Sequence, residues 1–204
     1  AITVNRKDIV EKITKAGQLP AYGLVPPGMV GYAPAQMQIL GAAAAKEKAR
    51  ELLAEAGYGP GGKPFPMMEV HYNTLEAHRD IAEVVAQTWR DQLGIDAKLQ
   101  NQEWKVYLDT QNNLGFDVSR SAWIGDSPDP NTFLDMFVTG GENNKTGWGN
   151  AEYDQLIMDS ASEADPTARL ALLKEAEAIL LDEMPIIPIY FYVTQNMVAP
   201  RLGG

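Results

Sequence analysis

The chain of 204 residues contains no cysteine, only two histidines and no block of Lys or Arg. Without Cys there can be no disulfide, no thiolate zinc site and no thiol nucleophile. That is compatible with an oxidising compartment but does not demonstrate one. His71 and His78 fit neither an HExxH pair nor a comparable ligand spacing, so they do not predict a metal site. No G-x-S-x-G occurs, which removes the strained nucleophile elbow of a serine hydrolase. The longest apolar run, Ile186 to Val193 (IIPIYFYV), is interrupted by Pro188. It falls far short of the roughly 18 residues a membrane helix needs. Acidic residues number 27 against 17 basic ones, a formal net charge of -10. Such a chain has no surface for tracking phosphates, so nucleic acid and acidic membranes are disfavoured as partners. No internal repeat is visible. The start at Ala1 without an initiator Met, and the stop at Gly203-Gly204, read as a processed or excised piece.

What is present is the alternation of strand and helix patterns that builds an α/β domain with a mixed sheet, expected to occupy residues 1–204 as one unit. Arg6 to Thr14 reads as a short helix with Ile9, Val10 and Ile13 on one side. Leu19 to Pro34 is rich in Pro and Gly, yet Tyr22, Val25, Met29, Val30 and Tyr32 give this loop apolar side chains to tuck inward. Ala43 to Ala56 is full of strong helix formers and is stopped by Gly57. Met67 to Tyr72 reads as a strand. Asn73 or Thr74 then caps a helix whose stripe is Ile81, Val84, Val85, Thr88 and Trp89, ending at Gly94. Ile95 to Gln100 alternates as a half-buried strand. A short helix over Lys105 to Asn112 and a strand over Phe116 to Trp123 follow. Asp129-Pro130, Asn150 and Asp165-Pro166 are helix starts, the last helix running to about Glu183 before Pro185. Ile186 to Val193 reads as an apolar strand, with a further short strand near Met197.

Several motifs imitate chemistry. Gly57 to Lys63 (GYGPGGK) has the skeleton of a phosphate loop. A helix precedes it instead of a strand, however, and Pro64 replaces the Ser or Thr after the lysine, so it is a helix stop and a turn. Asp126, Asp129 and Asn131 lack the spacing and the glycine of a calcium loop. No cofactor is expected.

The segment Ser119 to Pro130 (SRSAWIGDSPDP) places a cation, a large aromatic and two carboxylates close together. Asp126 and Asp129 could serve a glycosidase as acid and base, but Asp129 is explained as a helix cap. Asp126 either braces its own turn or faces a ligand. Trp104 and Trp123 stand at strand ends beside polar residues, where amphipathic rings often line a cleft. Trp89 belongs to a core stripe, and Trp148 suits either role. Arg120 by default is solvated, and His78 by default lies on a helix surface in the first turn.

These residues also resemble a known family. Asn101 to Phe137 (NQEWKVYLDTQNNLGFDVSRSAWIGDSPDPNTFLDMF) is similar to the periplasmic oligopeptide-binding proteins of ABC transporters, the family 5 or peptide-nickel-opine type of extracellular solute-binding protein. KEKARELLAEAGY, VHYNTLEAHRDIAEVVAQTWRDQLGI and PIIPIYFY agree with the resemblance, which extends over nearly the whole chain. It implies a type II periplasmic-binding-protein fold of two lobes, of which this chain is the C-terminal one and the N-terminal lobe is missing. It also implies a non-enzymatic, periplasmic component of an importer that encloses a small peptide and presents it to a membrane permease. Nickel complexes, sugars and opines are alternative ligands within the family, and a carboxylate-dependent hydrolase is the rival outside it.

By position, the resemblance makes Asp126 the carboxylate that holds a peptide's free α-amino group. Trp123 and Trp104 become aromatics lining the side-chain pockets. Arg120 and His78 lie near the peptide's C-terminal carboxylate, and Asn73, in a matching Y-N-T segment, lines the same cleft. Gln111-Asn112 stands where some members have Arg-His, which removes positive charge from the far end of the cleft.

Overall fold

The computed structural model describes residues 1–194; the short strand expected near Met197 lies outside the described residues. The chain opens with one helical turn, α1 (Arg6–Asp8), capped by the Asn5 side chain accepting from the Asp8 amide at 3.1 Å. It continues as a π-helical stretch over Ile9–Thr14, and Lys15 ends it in the left-handed conformation. The short strand β1 (Leu19–Pro20) follows, then a loop, then helix α2 (Ala42–Glu55). Next come β2 (Met68–Asn73), α3 (Glu76–Leu93), β3 (Ala97–Gln102), α4 (Trp104–Asn112) and β4 (Val118–Ser119). Helix α5 (Asn131–Leu134) runs into a 3-10 turn at Asp135–Phe137. Helices α6 (Ala151–Ser162) and α7 (Pro166–Glu183) precede β5 (Tyr190–Phe191).

Both pairing senses of a mixed sheet occur, divided between two sheets. Strands β3-β2-β4 form a parallel sheet, with Val70 opposite both Leu99 and Val118. Parallel neighbours require crossovers, and α3 and α4 supply them. The second sheet is an antiparallel ribbon of β1 and β5, with Leu19 opposite Phe191.

Two apolar clusters hold these layers. One joins Val70 and Tyr72 of the sheet to Ile81, Val85 and Trp89 of α3 and to Ile95, so Trp89 is core as its stripe requires. The other joins Val25 and Tyr32 of the Pro/Gly-rich loop to Phe133, Leu134, Phe137, Tyr153, Leu156, Leu173 and Leu180. Val30 departs from the expected inward tuck, since it is 96% exposed at the loop tip.

The late caps are as the sequence dictates. The Asn150 side chain accepts from the Glu152 and Tyr153 amides, and Asp165 accepts from the Thr167 amide at 2.8 Å. Asp129 accepts from the Asn131 amide at 2.9 Å, although α5 begins one residue beyond the expected Pro130.

Three expectations are corrected. Neither Asn73 nor Thr74 caps α3: Leu75 flanks the helix, and the Thr74 hydroxyl instead bonds the Asn101 side chain and the Gln102 carbonyl. The strand expected over Phe116 to Trp123 shrinks to Val118–Ser119 because only Val70 and His71 oppose it. One further bond runs from the Arg120 amide to the His71 carbonyl, and a side chain, Gln111, takes the Arg120 carbonyl. The strand expected over Ile186 to Val193 shrinks to Tyr190–Phe191, as its partner β1 has only two residues and one is Pro20, which has no N–H to donate.

Candidate functional site

Because the three strands of the larger sheet are parallel, their C-terminal ends share one edge, the place where open α/β sheets bind ligands. Asn73 is the last residue of β2, and His78 lies in the first turn of the following helix. Trp104 opens α4 directly after β3. Arg120 follows the end of β4 and begins the loop that carries Trp123 and Asp126. All six candidate residues therefore leave the sheet by the same edge, an arrangement that spacing in the sequence cannot reveal.

The loop holding Trp123 and Asp126 is fastened to α5 through Thr132. The Trp123 indole donates to the Thr132 carbonyl at 2.8 Å, and the Asp126 amide donates to the Thr132 hydroxyl at 2.9 Å. Between them, Gly125 presses against the helix so closely that a Cβ there would lie 2.8 Å from the Thr132 methyl and 2.9 Å from the Phe133 ring. Only glycine permits that approach. The Trp123 ring, half-buried, packs on the cluster containing Phe133. The Asp126 carboxylate is exposed, and among the described residues no cation pairs with it. It lies near enough to Asp135 to help raise that carboxyl's pKa, for which burial is the larger cause.

Asp129 has a different fate. Both of its oxygens meet the Arg169 guanidinium, at 2.8 and 2.9 Å, and these bonds are the main reason its pKa lies below the ordinary range. A carboxylate already engaged by a bidentate arginine and a backbone amide is a poor acid or base. The Asp126/Asp129 pair that a glycosidase would need is thus divided.

At the other group of residues, the Arg120 backbone is held on both sides. Its amide donates to the His71 carbonyl at 2.8 Å, and its carbonyl accepts from the Gln111 side chain at 3.2 Å. Gln111 is itself buried in a network with the Tyr107 and Ser119 hydroxyls, at 3.0 and 2.9 Å. The Arg120 guanidinium donates to the Tyr192 hydroxyl, and among the described residues no carboxylate pairs with it. Trp104 is 52% exposed and stacks on Tyr107 with ring centroids 6.0 Å apart. Asn73 keeps a buried side-chain oxygen without a hydrogen-bond partner, as does Gln102, its neighbour across the strands.

His78 is a correction: it is buried, not a surface residue. Its Nδ1 lies 3.4 Å from the Asn73 carbonyl. Burial, and secondarily the Arg120 charge, push its pKa below 6.5. The folded protein therefore resists protonating His78, and the unfolded chain does not. This contribution to stability is complete above about pH 6.5 and is lost as pH falls through the folded pKa. Subtracting the pH-stability curve of His78→Gln from that of the unmodified protein should leave a difference that declines between pH 7 and pH 5. A flat difference would mean that the imidazole is not held neutral.

The sequence reading passed over Thr132, Tyr107 and Tyr192. It also passed over the two most deeply buried charges, Arg6 and Glu177. Nothing local marks these positions. Only the alternation Tyr190, Tyr192 in IYFYV hinted that two rings share a side.

Comparison with known proteins places the chain among its relatives. The chain is 39% identical to the oligopeptide-binding protein OppA of Bacillus subtilis over 99% of its own length and 38% of that protein. It is 37% identical to the periplasmic murein peptide-binding protein MppA of Escherichia coli, again spanning 38% of the relative. Its fold superimposes on the solved Escherichia coli MppA with a TM-score of 0.88 at 38% identity, covering 94% of this chain and 38% of that one. The solved OppA of Haemophilus influenzae in complex with the peptide RPPGFSPFR gives 0.87 at 32% identity, covering 94% of this chain and 38% of that one. The chain thus spans somewhat over a third of the relatives it matches. The sequence model of the bacterial extracellular solute-binding proteins, family 5 (middle region), matches residues 1–145, and the chain belongs to that family.

Proposed function

We propose that this chain is the C-terminal lobe of a two-lobed solute-binding protein that captures peptides for an ABC importer in the periplasm. Residues 1–204 would fold as one lobe, the rest of the protein supplying the N-terminal lobe and the other wall of the cleft. The observation that carries this reading is the pair of charges leaving one sheet edge, the Asp126 carboxylate and the Arg120 guanidinium, neither in an ion pair among the described residues. A free peptide has an ammonium at one end and a carboxylate at the other. Two fixed charges of opposite sign match it, and each would gain a charge-assisted hydrogen bond. Trp104 and Trp123 supply apolar faces for side chains, and Asn73 and His78 line the region by Arg120. No bond to the substrate need break, so capture and delivery to a permease account for the site without catalysis.

Mass spectrometry of molecules that co-purify with the full-length protein tests the ligand class. Peptides with free termini are expected. Recovery of sugars or metal chelates in their place would overturn the assignment, and hydrolysis of added peptides or glycosides that vanishes in Asp126→Ala would replace binding by catalysis.

A further inference from the structure

We propose that Tyr192 is a positioning residue for Arg120, holding its guanidinium ready for the carboxylate end of a peptide; this rests on the reading of Arg120 given above. An arginine side chain has many rotamers, and one that must meet an anion gains from being fixed beforehand. The Arg120 backbone is fixed by the His71 carbonyl and the Gln111 amide. Its side chain is held at its far end by the Tyr192 hydroxyl.

The choice of a phenol as tether has a physical consequence. A carboxylate would hold the guanidinium but cancel its charge. A neutral hydroxyl accepts one N–H and leaves the positive charge, and most of the five donors of the guanidinium, for a ligand. The neighbouring groups bring no anion to offset that charge. The His78 imidazole, on α3, has its pKa lowered and is neutral or cationic, never an anion. Tyr190, whose hydroxyl is 3.5 Å from that of Tyr192, has its pKa pushed up to about 12, chiefly by burial, and stays protonated.

Tyr192 is braced in turn. Its ring meets Tyr190 edge-on, with centroids 5.2 Å apart and planes at 78°. Tyr190 belongs to β5, which is paired with β1. The tether thus anchors the anion-facing cation to the antiparallel ribbon, while its backbone amide is bonded to β2 of the parallel sheet.

The test is calorimetry on the full-length protein with one peptide in two forms, a free C-terminal acid and the C-terminal amide. Tyr192→Phe keeps the ring against Tyr190 and removes only the hydroxyl. Arg120→Ala should weaken the free acid by about tenfold or more and the amide little. Tyr192→Phe should weaken the free acid by about threefold to fivefold, the amide by less than about twofold, and add nothing on an Arg120→Ala background. Equal losses for acid and amide in Tyr192→Phe, with Arg120→Ala still discriminating, would overturn the positioning role alone. Failure of Arg120→Ala to discriminate acid from amide would remove Arg120 from the carboxylate end, and the proposal would fall with it.

Discussion

Asp126→Asn in the full-length protein is expected to weaken binding of a free-amine peptide by at least about thirtyfold. The carboxylate is exposed in this chain, and no cation meets it among the described residues. Its loop, however, is clamped to α5 through Thr132 and the close approach of Gly125, so the charge is presented from a fixed base. Closure of a second lobe over an ammonium–carboxylate pair would desolvate both charges. Removing one partner of such a pair costs about 2–5 kcal/mol, much of it from the charge left behind, and about 1.4 kcal/mol is tenfold in affinity. Acetylating the peptide's amino group should produce a loss that overlaps with the mutant's, since both remove the same interaction. In the isolated chain the pair would stay wet and screened, so binding by either form should be too weak to measure easily. Calorimetry with free and acetylated peptides checks all three statements. Equal affinity of Asp126→Asn and the unmodified protein for the free-amine peptide would take Asp126 out of the anchoring role.

The second large effect is on stability. Glu177→Leu is expected to destabilise the fold by about 3–5 kcal/mol, because several donors each lose an acceptor at about 1–3 kcal/mol apiece when buried. Glu177 lies on α7 and is fully buried. One carboxylate oxygen accepts from the Leu24 and Val25 amides at 3.0 and 2.8 Å. The other accepts from the Tyr32 hydroxyl and the Ala35 amide, both at 2.8 Å. Four donors of the loop between β1 and α2 thus converge on one side chain, and a buried donor without an acceptor carries its full desolvation cost. Burial, aided by the Glu177 charge, raises the Tyr32 pKa, so this phenol remains a donor. Glu177→Gln keeps the shape but turns an N–H toward two donors, and it should fall between the other two proteins. Denaturant curves read the difference. Unchanged midpoints in both variants would mean the loop is held by Val25 and Tyr32 packing alone.

The sequence by itself determined the elements whose causes are local. Asp165-Pro166, Asn150 and Gly94 mark helix ends because capping and left-handed closure involve residues a few positions apart. The stripe from Ile81 to Trp89 named its own buried face for the same reason. The residues from Trp123 to Asp129 also declared an unusual mixture of charge and aromaticity before any geometry was known.

Tertiary structure decided everything that depended on a distant partner. Asp126 and Asp129 look alike along the chain, yet Arg169, from another helix, occupies one and leaves the other open. Asn73, His78, Trp104 and Arg120 leave the sheet together only because parallel pairing brings three strand ends to one edge. His78 changed from a surface to a buried residue, and IIPIYFYV from a long strand to two paired residues, because burial and pairing are set by what lies opposite. Glu177 shows the limit most plainly. In sequence it is one of many acidic residues on a helix, and its role depends on amides more than a hundred positions away that fold back around it.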